Sequence, residues 1–194
     1  MLLQGKNAII YGAAGSIGGA VARAYAREGA SVFLAGRTLA KLDRVADEIR
    51  SGGGVAETAQ VDAMDQLAVD AHADQVAKAA GSIDISFNAI SITAVQNTPL
   101  VEMSLEDFMA PIVEACRTHF ATTTTAARHM TAQGSGVIVL LSSSAALESR
   151  HQTSPVAAPA ADTSAACSER HRLRCGEICR RGLPAVSGDS GGAR

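Results

Sequence analysis

The chain has 194 residues, enough for one domain with a sizeable core. It is 47% hydrophobic but only 3% aromatic, and its net charge of −2 favours neither nucleic acid nor an anionic membrane as partner. No apolar run approaches the roughly 20 residues that span a bilayer. Polar residues interrupt the start Met1-Leu-Leu-Gln-Gly-Lys6 at once, unlike a secretory leader, so a cytoplasmic protein is expected. Cys116, Cys167, Cys175 and Cys179 are too few for a secreted disulfide framework in a chain of this size.

Residues 7–11 read as a short buried strand. Residues 16–28 follow as a helix, with Ile17, Ala20, Val21, Ala24 and Tyr25 on one face and Gly29 as its stop. Residues 31–35 form a second strand. Residues 39–50 repeat the helical period through Leu42, Val45, Ala46 and Ile49, ending at Gly52-Gly-Gly54. Residues 55–61 are a third strand and 66–80 a third helix, ended by Gly81. Residues 83–88 are a fourth strand. Residues 105–130 are helical, with Pro111 expected to kink the helix or delay its start. Residues 137–141 are a fifth strand. Near-continuous apolar strands between amphipathic helices imply a parallel sheet covered on both faces. Right-handed crossovers make this an α/β, doubly wound, Rossmann-like domain over residues 1–150, with strand order 3-2-1-4-5.

Composition changes abruptly near Arg150. Residues 151–194 contain Ala, Ser, Pro, Arg and Gly, with neither lysine nor aromatic residue. Such a segment buries too little apolar area to offset ordering, at roughly 1–2 kcal/mol per residue. Residues 153–194 are therefore expected to be mostly disordered, with one short helix near 165–181. The break looks like a reading frame translated out of phase near 151–154. An alternative frame of the gene encoding Y-x-x-x-K would support that hypothesis, and its absence would sink it.

Residues 11–18 read Y-G-A-A-G-S-I-G between a strand and a helix start. Gly12, Gly15 and Gly18 in that context suit a pyrophosphate held on backbone amides. The second strand ends in Ala35-Gly36-Arg37, without the acidic residue that an NAD site needs for the ribose hydroxyls. Arg37 offers a guanidinium to a 2′-phosphate instead, which points to NADP(H). Asp62, after the third strand, suits an adenine amino group or caps the next helix.

With these motifs in this order, residues 4–152 resemble the short-chain dehydrogenase/reductase family. Its usual T-G-x-x-x-G-x-G becomes Tyr11 to Gly18 here, with Tyr11 for Thr and Ser16 for the middle glycine. The resemblance implies cofactor contacts from Gly12, Gly15, Ser16, Ile17, Gly18, Arg37, Asp62 and Asn88. Asn88-Ala89-Ile90 is similar to the family's N-A-G segment, and residues 136–144 to the strand that carries its catalytic serine, here Ser143.

The resemblance also implies hydride transfer between NADP(H) and a small-molecule carbonyl or alcohol substrate. That chemistry uses a tyrosine whose pKa a lysine lowers, because a phenol near pKa 10 is otherwise too weak a partner. The Tyr and Lys positions fall on Val156 and Ala160, and the asparagine of the proton relay on Ala115. No tyrosine follows Tyr25 and no lysine follows Lys78. The expectation is an oxidoreductase by descent, inactive or nearly so, or else a non-catalytic NADP(H)-binding protein or a truncated, non-functional product. The family's usual homo-oligomer is not expected.

Other chemistries fit less well. Ser143 equally suits a strand-end serine that satisfies loop backbone and caps a helix. Cys167, His171, Cys175 and Cys179 recur every four residues, and four ligands so spaced span about 18 Å along a helix, too far for one ion. No metal site is expected. A Ser143–His151–Asp162 hydrolase lacks the G-x-S-x-G elbow.

Overall fold

A computed structural model describes residues 1–95 and 98–141. Within them, one five-stranded sheet has the order β3-β2-β1-β4-β5, every pair parallel. The strands are β1 (Asn7–Tyr11), β2 (Ser31–Gly36), β3 (Val55–Gln60), β4 (Ile85–Asn88) and β5 (Val137–Leu140). The helices are α1 (Ser16–Arg27), α2 (Leu39–Ser51), α3 (Gln66–Ala80) and α4 (Leu105–Gln133). This is the doubly wound α/β arrangement expected from the alternating pattern.

Strand periodicity sorts the core into two layers. On β1, Ala8 and Ile10 join Leu34, Leu42 and Ile49 on the side of α1 and α2. Ile9 and Tyr11 join Phe33, Val69, Val76 and Met130 on the side of α3 and α4. Asp70 of α3 accepts hydrogen bonds from Thr125 and Arg128 of α4, which locks the second pair of helices together.

Four elements depart from expectation, each for a local reason. Helix α1 buries Gly18, Gly19 and Ala22, whereas Ile17 is 53% exposed and Ala20 lies outside. Close approach to the glycine loop needs small side chains on that face, so α1 presents its glycines inward. Helix α4 does not start late: it begins at Leu105 and runs through Pro111. Ser104 caps it by accepting from the Asp107 amide at 3.0 Å, Glu106 and Asp107 favour its first turn, and Pro111 is buried inside it. Strand β4 starts two residues late, because Gln133 occupies Ile83 instead. Its Oε1 accepts from the Ile83 amide, and its Nε2 donates to the Ile83 carbonyl at 2.7 Å. Strand β3 is an edge, with Val55, Glu57 and Gln60 exposed, not a strand buried on both faces.

Among the described residues, β5 pairs with β4 alone, and all four of its residues are partly exposed. No described helix is long and apolar enough to cross a membrane. The expectations for residues 151–194 lie outside the described residues.

Candidate cofactor site

The parallel register brings Tyr11 level with Ala35 and with Asn88, so the turns after β1, β2 and β4 open at one edge of the sheet. In a doubly wound sheet that edge is where ligands bind, at the point where strand order reverses. Here the reversal falls between β1 and β4.

The glycines of the first turn are there for different reasons. Gly12 has φ +77°, and a Cβ on it would come within 2.5 Å of the Ala89 carbonyl oxygen. A Cβ on Gly18 would come within 2.4 Å of the Gly12 oxygen and 2.9 Å of Ala13 Cα. Gly15 is more tolerant, with the Gly12 oxygen 3.3 Å from its would-be Cβ. The Gly12 and Ala13 amides both donate to the Ala35 carbonyl, which ties the turn to the end of β2. The amides of Ala14, Ser16, Ile17 and Gly18 have no acceptor among the described residues. No side chain caps α1, and its first turn holds no acidic residue. Unpaired amides and an uncompensated helix dipole together make an anion cradle.

A cavity of about 260 Å³ opens beside this cradle. Gly12 and Gly15 line it, with Arg37 after β2, Asp62 after β3, Ile90 after β4 and Glu114 on α4. Ser16, Ile17 and Gly18 belong to the helix start next to it rather than to its wall.

Arg37 is exposed, and its carbonyl accepts from Gln60 Nε2 at 3.1 Å, which holds its backbone to the end of β3. No carboxylate among the described residues forms an ion pair with its guanidinium. Two further cavity residues escape the sequence reading: Thr38, the N-cap of α2, and Lys41, one turn along. The four-residue spacing of Arg37 and Lys41 across a helix start is the signal that could have found them.

Asp62 does not cap α3. Its Oδ1 accepts from the Met64 amide at 3.0 Å, a local turn. Asp65 is the cap, accepting from the Leu67 amide at 2.9 Å and the Ala68 amide at 3.3 Å. The Asp62 carboxylate therefore stays on the cavity wall.

Asn88 is buried and does not line the cavity. Its Nδ2 donates to Thr122 Oγ1 at 3.0 Å and to the Thr118 carbonyl at 3.4 Å, and its Oδ1 accepts from the Ile90 amide at 3.0 Å. It shapes the cavity floor by holding β4 and the turn after it against α4. Ala115, at the position of the relay asparagine, lies partly buried on α4 and carries only a methyl group.

Tyr11 is no substitute acid/base. Burial, reinforced by the Asp70 charge, pushes its phenol well above the usual tyrosine range, so it stays protonated. It packs edge-on to His72 at 6.0 Å between ring centres. His72 is buried too, and burial pushes its pKa down to about 4. Its Nδ1 has no partner among the described residues. Ser143, Val156, Ala160, His151, Asp162 and the residues Cys167 to Cys179 lie outside the described residues.

The short chain dehydrogenase family profile matches residues 6–160. This chain belongs to that family. Its members are oxidoreductases that use nicotinamide cofactors, and similar proteins extend the match. A D-threitol dehydrogenase of Mycolicibacterium smegmatis is 31% identical over 144 residues, covering 74% of this chain and 55% of that protein. A metagenomic short-chain oxidoreductase, solved in complex with NADP, is 29% identical with a TM-score of 0.69, over 80% of this chain and 68% of that one. A 7α-hydroxysteroid dehydrogenase, solved with NADH and 7-oxo glycochenodeoxycholic acid, is 29% identical with a TM-score of 0.68, over 79% of this chain and 60% of that one. The chain spans about half or less of the length of the curated relatives it matches, between 26% and 55%.

Proposed function

We propose that this chain binds NADP(H) along the cavity, and that its carbonyl or alcohol oxidoreductase turnover is lost or nearly so. One observation carries the binding reading: amides at the start of α1 without acceptors among the described residues adjoin a cavity whose wall carries Arg37 and Lys41. The amides of Ser16, Ile17 and Gly18 would take the pyrophosphate, and Asp62 would accept from the adenine amino group. Arg37 and Lys41, with the Thr38 hydroxyl, would hold a 2′-phosphate. Relatives of this chain are solved with either NADP or NADH. The lack of a carboxylate at the end of β2 and the presence of these cations favour NADP(H).

Bound there, the nicotinamide would supply or accept the hydride at C4. The chain's own share of the chemistry is what is missing. Tyr11 cannot exchange a proton near neutral pH, Ala115 offers no relay group, and neither Tyr nor Lys stands at positions 156 and 160. Of the family's catalytic groups, Ser143 alone remains to position a substrate oxygen. Loss of a general acid/base forfeits roughly 10²–10⁴-fold in rate.

Titration of the purified chain with NADPH and NADH, followed by nicotinamide fluorescence, tests both parts. NADPH should bind at least about tenfold more tightly than NADH, since a paired phosphate contributes on the order of 1.5–3 kcal/mol. Binding of neither would refute the site. With a panel of ketones, NADPH oxidation should stay at background, and robust turnover would overturn the loss of activity.

A further inference from the structure

Glu114 stands across the switch point from the basic end of the cavity. Arg37 and Lys41 follow β2, on one side of β1. Glu114 lies on α4, which packs against β4 and β5 on the other side, and it shares the wall there with Ile90, Ser91 and Thr118. Its Oε2 accepts from the Thr93 amide at 3.2 Å, which aims the carboxylate towards the turn after β4. Among the described residues no Lys, Arg or His forms an ion pair with it. The cavity is thus charged unevenly, positive at the β2 end and negative at the β4 end.

A dinucleotide laid across a switch point puts its adenosine half over β2 and β3 and its other half beyond β1. The nicotinamide ring carries a positive charge when oxidised and none when reduced. We infer that Glu114 makes the site discriminate between the two redox forms, holding NADP⁺ more tightly than a neutral residue there would, with little effect on NADPH. The inference rests on the cofactor reading above and gives a specific residue a role in it. The attraction is a charge–charge effect in a cavity open to water, where unit charges about 4 Å apart at water-like dielectric correspond to roughly 3- to 10-fold in affinity.

The test is the ratio of dissociation constants, Kd for NADP⁺ over Kd for NADPH, measured by calorimetry on the whole chain. Glu114→Gln should raise that ratio about 3- to 10-fold, through weaker NADP⁺ binding. Glu114→Asp keeps the charge and should stay within about twofold of the parent. Glu114→Ala, which also removes the charge, reads the same ratio if the glutamine variant does not fold. An unchanged ratio in Glu114→Gln, or an equal rise in Glu114→Asp, overturns the role of the charge while leaving the cofactor site standing. Failure of the parent chain to bind either form overturns the site, and this inference with it.

Discussion

Asn88 Nδ2 donates to Thr122 Oγ1 at 3.0 Å from a residue only 2% exposed, joining the last residue of β4 to the middle of α4. The same side chain accepts the Ile90 amide. Thr122 would survive its loss, since its hydroxyl also donates to the Thr118 carbonyl at 2.8 Å. The Ile90 amide would lose its acceptor. Asn88→Ala should therefore destabilise the domain by roughly 1 kcal/mol, the low end of the cost of stranding a donor, because the Ile90 amide is only part-buried. Urea unfolding followed by circular dichroism measures it. An unchanged midpoint would mean that Asn88 does not hold this junction.

The glycine turn yields a prediction of order. Alanine at Gly18 would strike the backbone at Gly12 and Ala13, and neither atom can swing aside as a flexible side chain would. Alanine at Gly15 meets the Gly12 oxygen alone, at 3.3 Å. Overpacking of the first kind typically costs about 1–3 kcal/mol. Gly18→Ala should weaken NADPH binding about tenfold or more and lower the thermal midpoint, while Gly15→Ala does much less of both. The reverse ranking would show that the turn is not built as described.

His72 makes stability depend on pH. Burial lowers its folded-state pKa from 6.5 to about 4, so the native state keeps it neutral while the unfolded chain protonates first. Its contribution is fully present above pH 6.5 and is lost as pH falls from 6.5 towards 4. The full loss is on the order of 3 kcal/mol. His119, half-buried and also lowered by burial, acts with the same sign. The diagnostic quantity is therefore the difference between the parent and His72→Leu in urea titrations at pH 7 and pH 5. The variant should lose less stability over that interval. Identical losses would place the titration elsewhere.

Helix boundaries are legible because each rests on a period of 3.6 that a single segment carries, and strand order because apolar strands alternating with helices admit only right-handed crossovers. Gly12 and Arg37 stand out in the sequence because a turn residue and a strand-end charge are local signals. The departures involve packing or capping partners that the helical and strand periods do not report. Ile17 and Ala20 satisfy the helical period, yet the contact between Gly18 and Gly12 turns α1 the other way. Ile83 looks like strand, yet Gln133, fifty positions on, takes its backbone. Asn88 enters by resemblance alone as a cofactor contact, and the packing of α4 adds that its polar atoms have partners within the protein. Lys41 is not singled out in the sequence, and it joins the site only because α2 starts at the cavity wall.

Lys41 gives the last prediction its control. If Arg37 alone held the 2′-phosphate, Arg37→Asp would remove the whole preference for NADPH and supply the carboxylate that accepts from ribose hydroxyls in NAD sites. With Lys41 on the same wall, part of the preference should persist. Arg37→Asp is expected to weaken NADPH by about 10- to 100-fold, because a charge-assisted hydrogen bond to the phosphate gives way to repulsion between like charges. Lys41→Ala alone should cost less, about three- to tenfold, because an ammonium cannot match the two-point geometry of a guanidinium. NADH affinity should be unaffected by Lys41→Ala, since NADH lacks the phosphate. Parallel titrations of both cofactors against the two variants and their combination decide it. Equal losses of NADH and NADPH in Lys41→Ala would show that the lysine supports the fold of α2 rather than the phosphate. An unchanged preference in Arg37→Asp would remove Arg37 from the site.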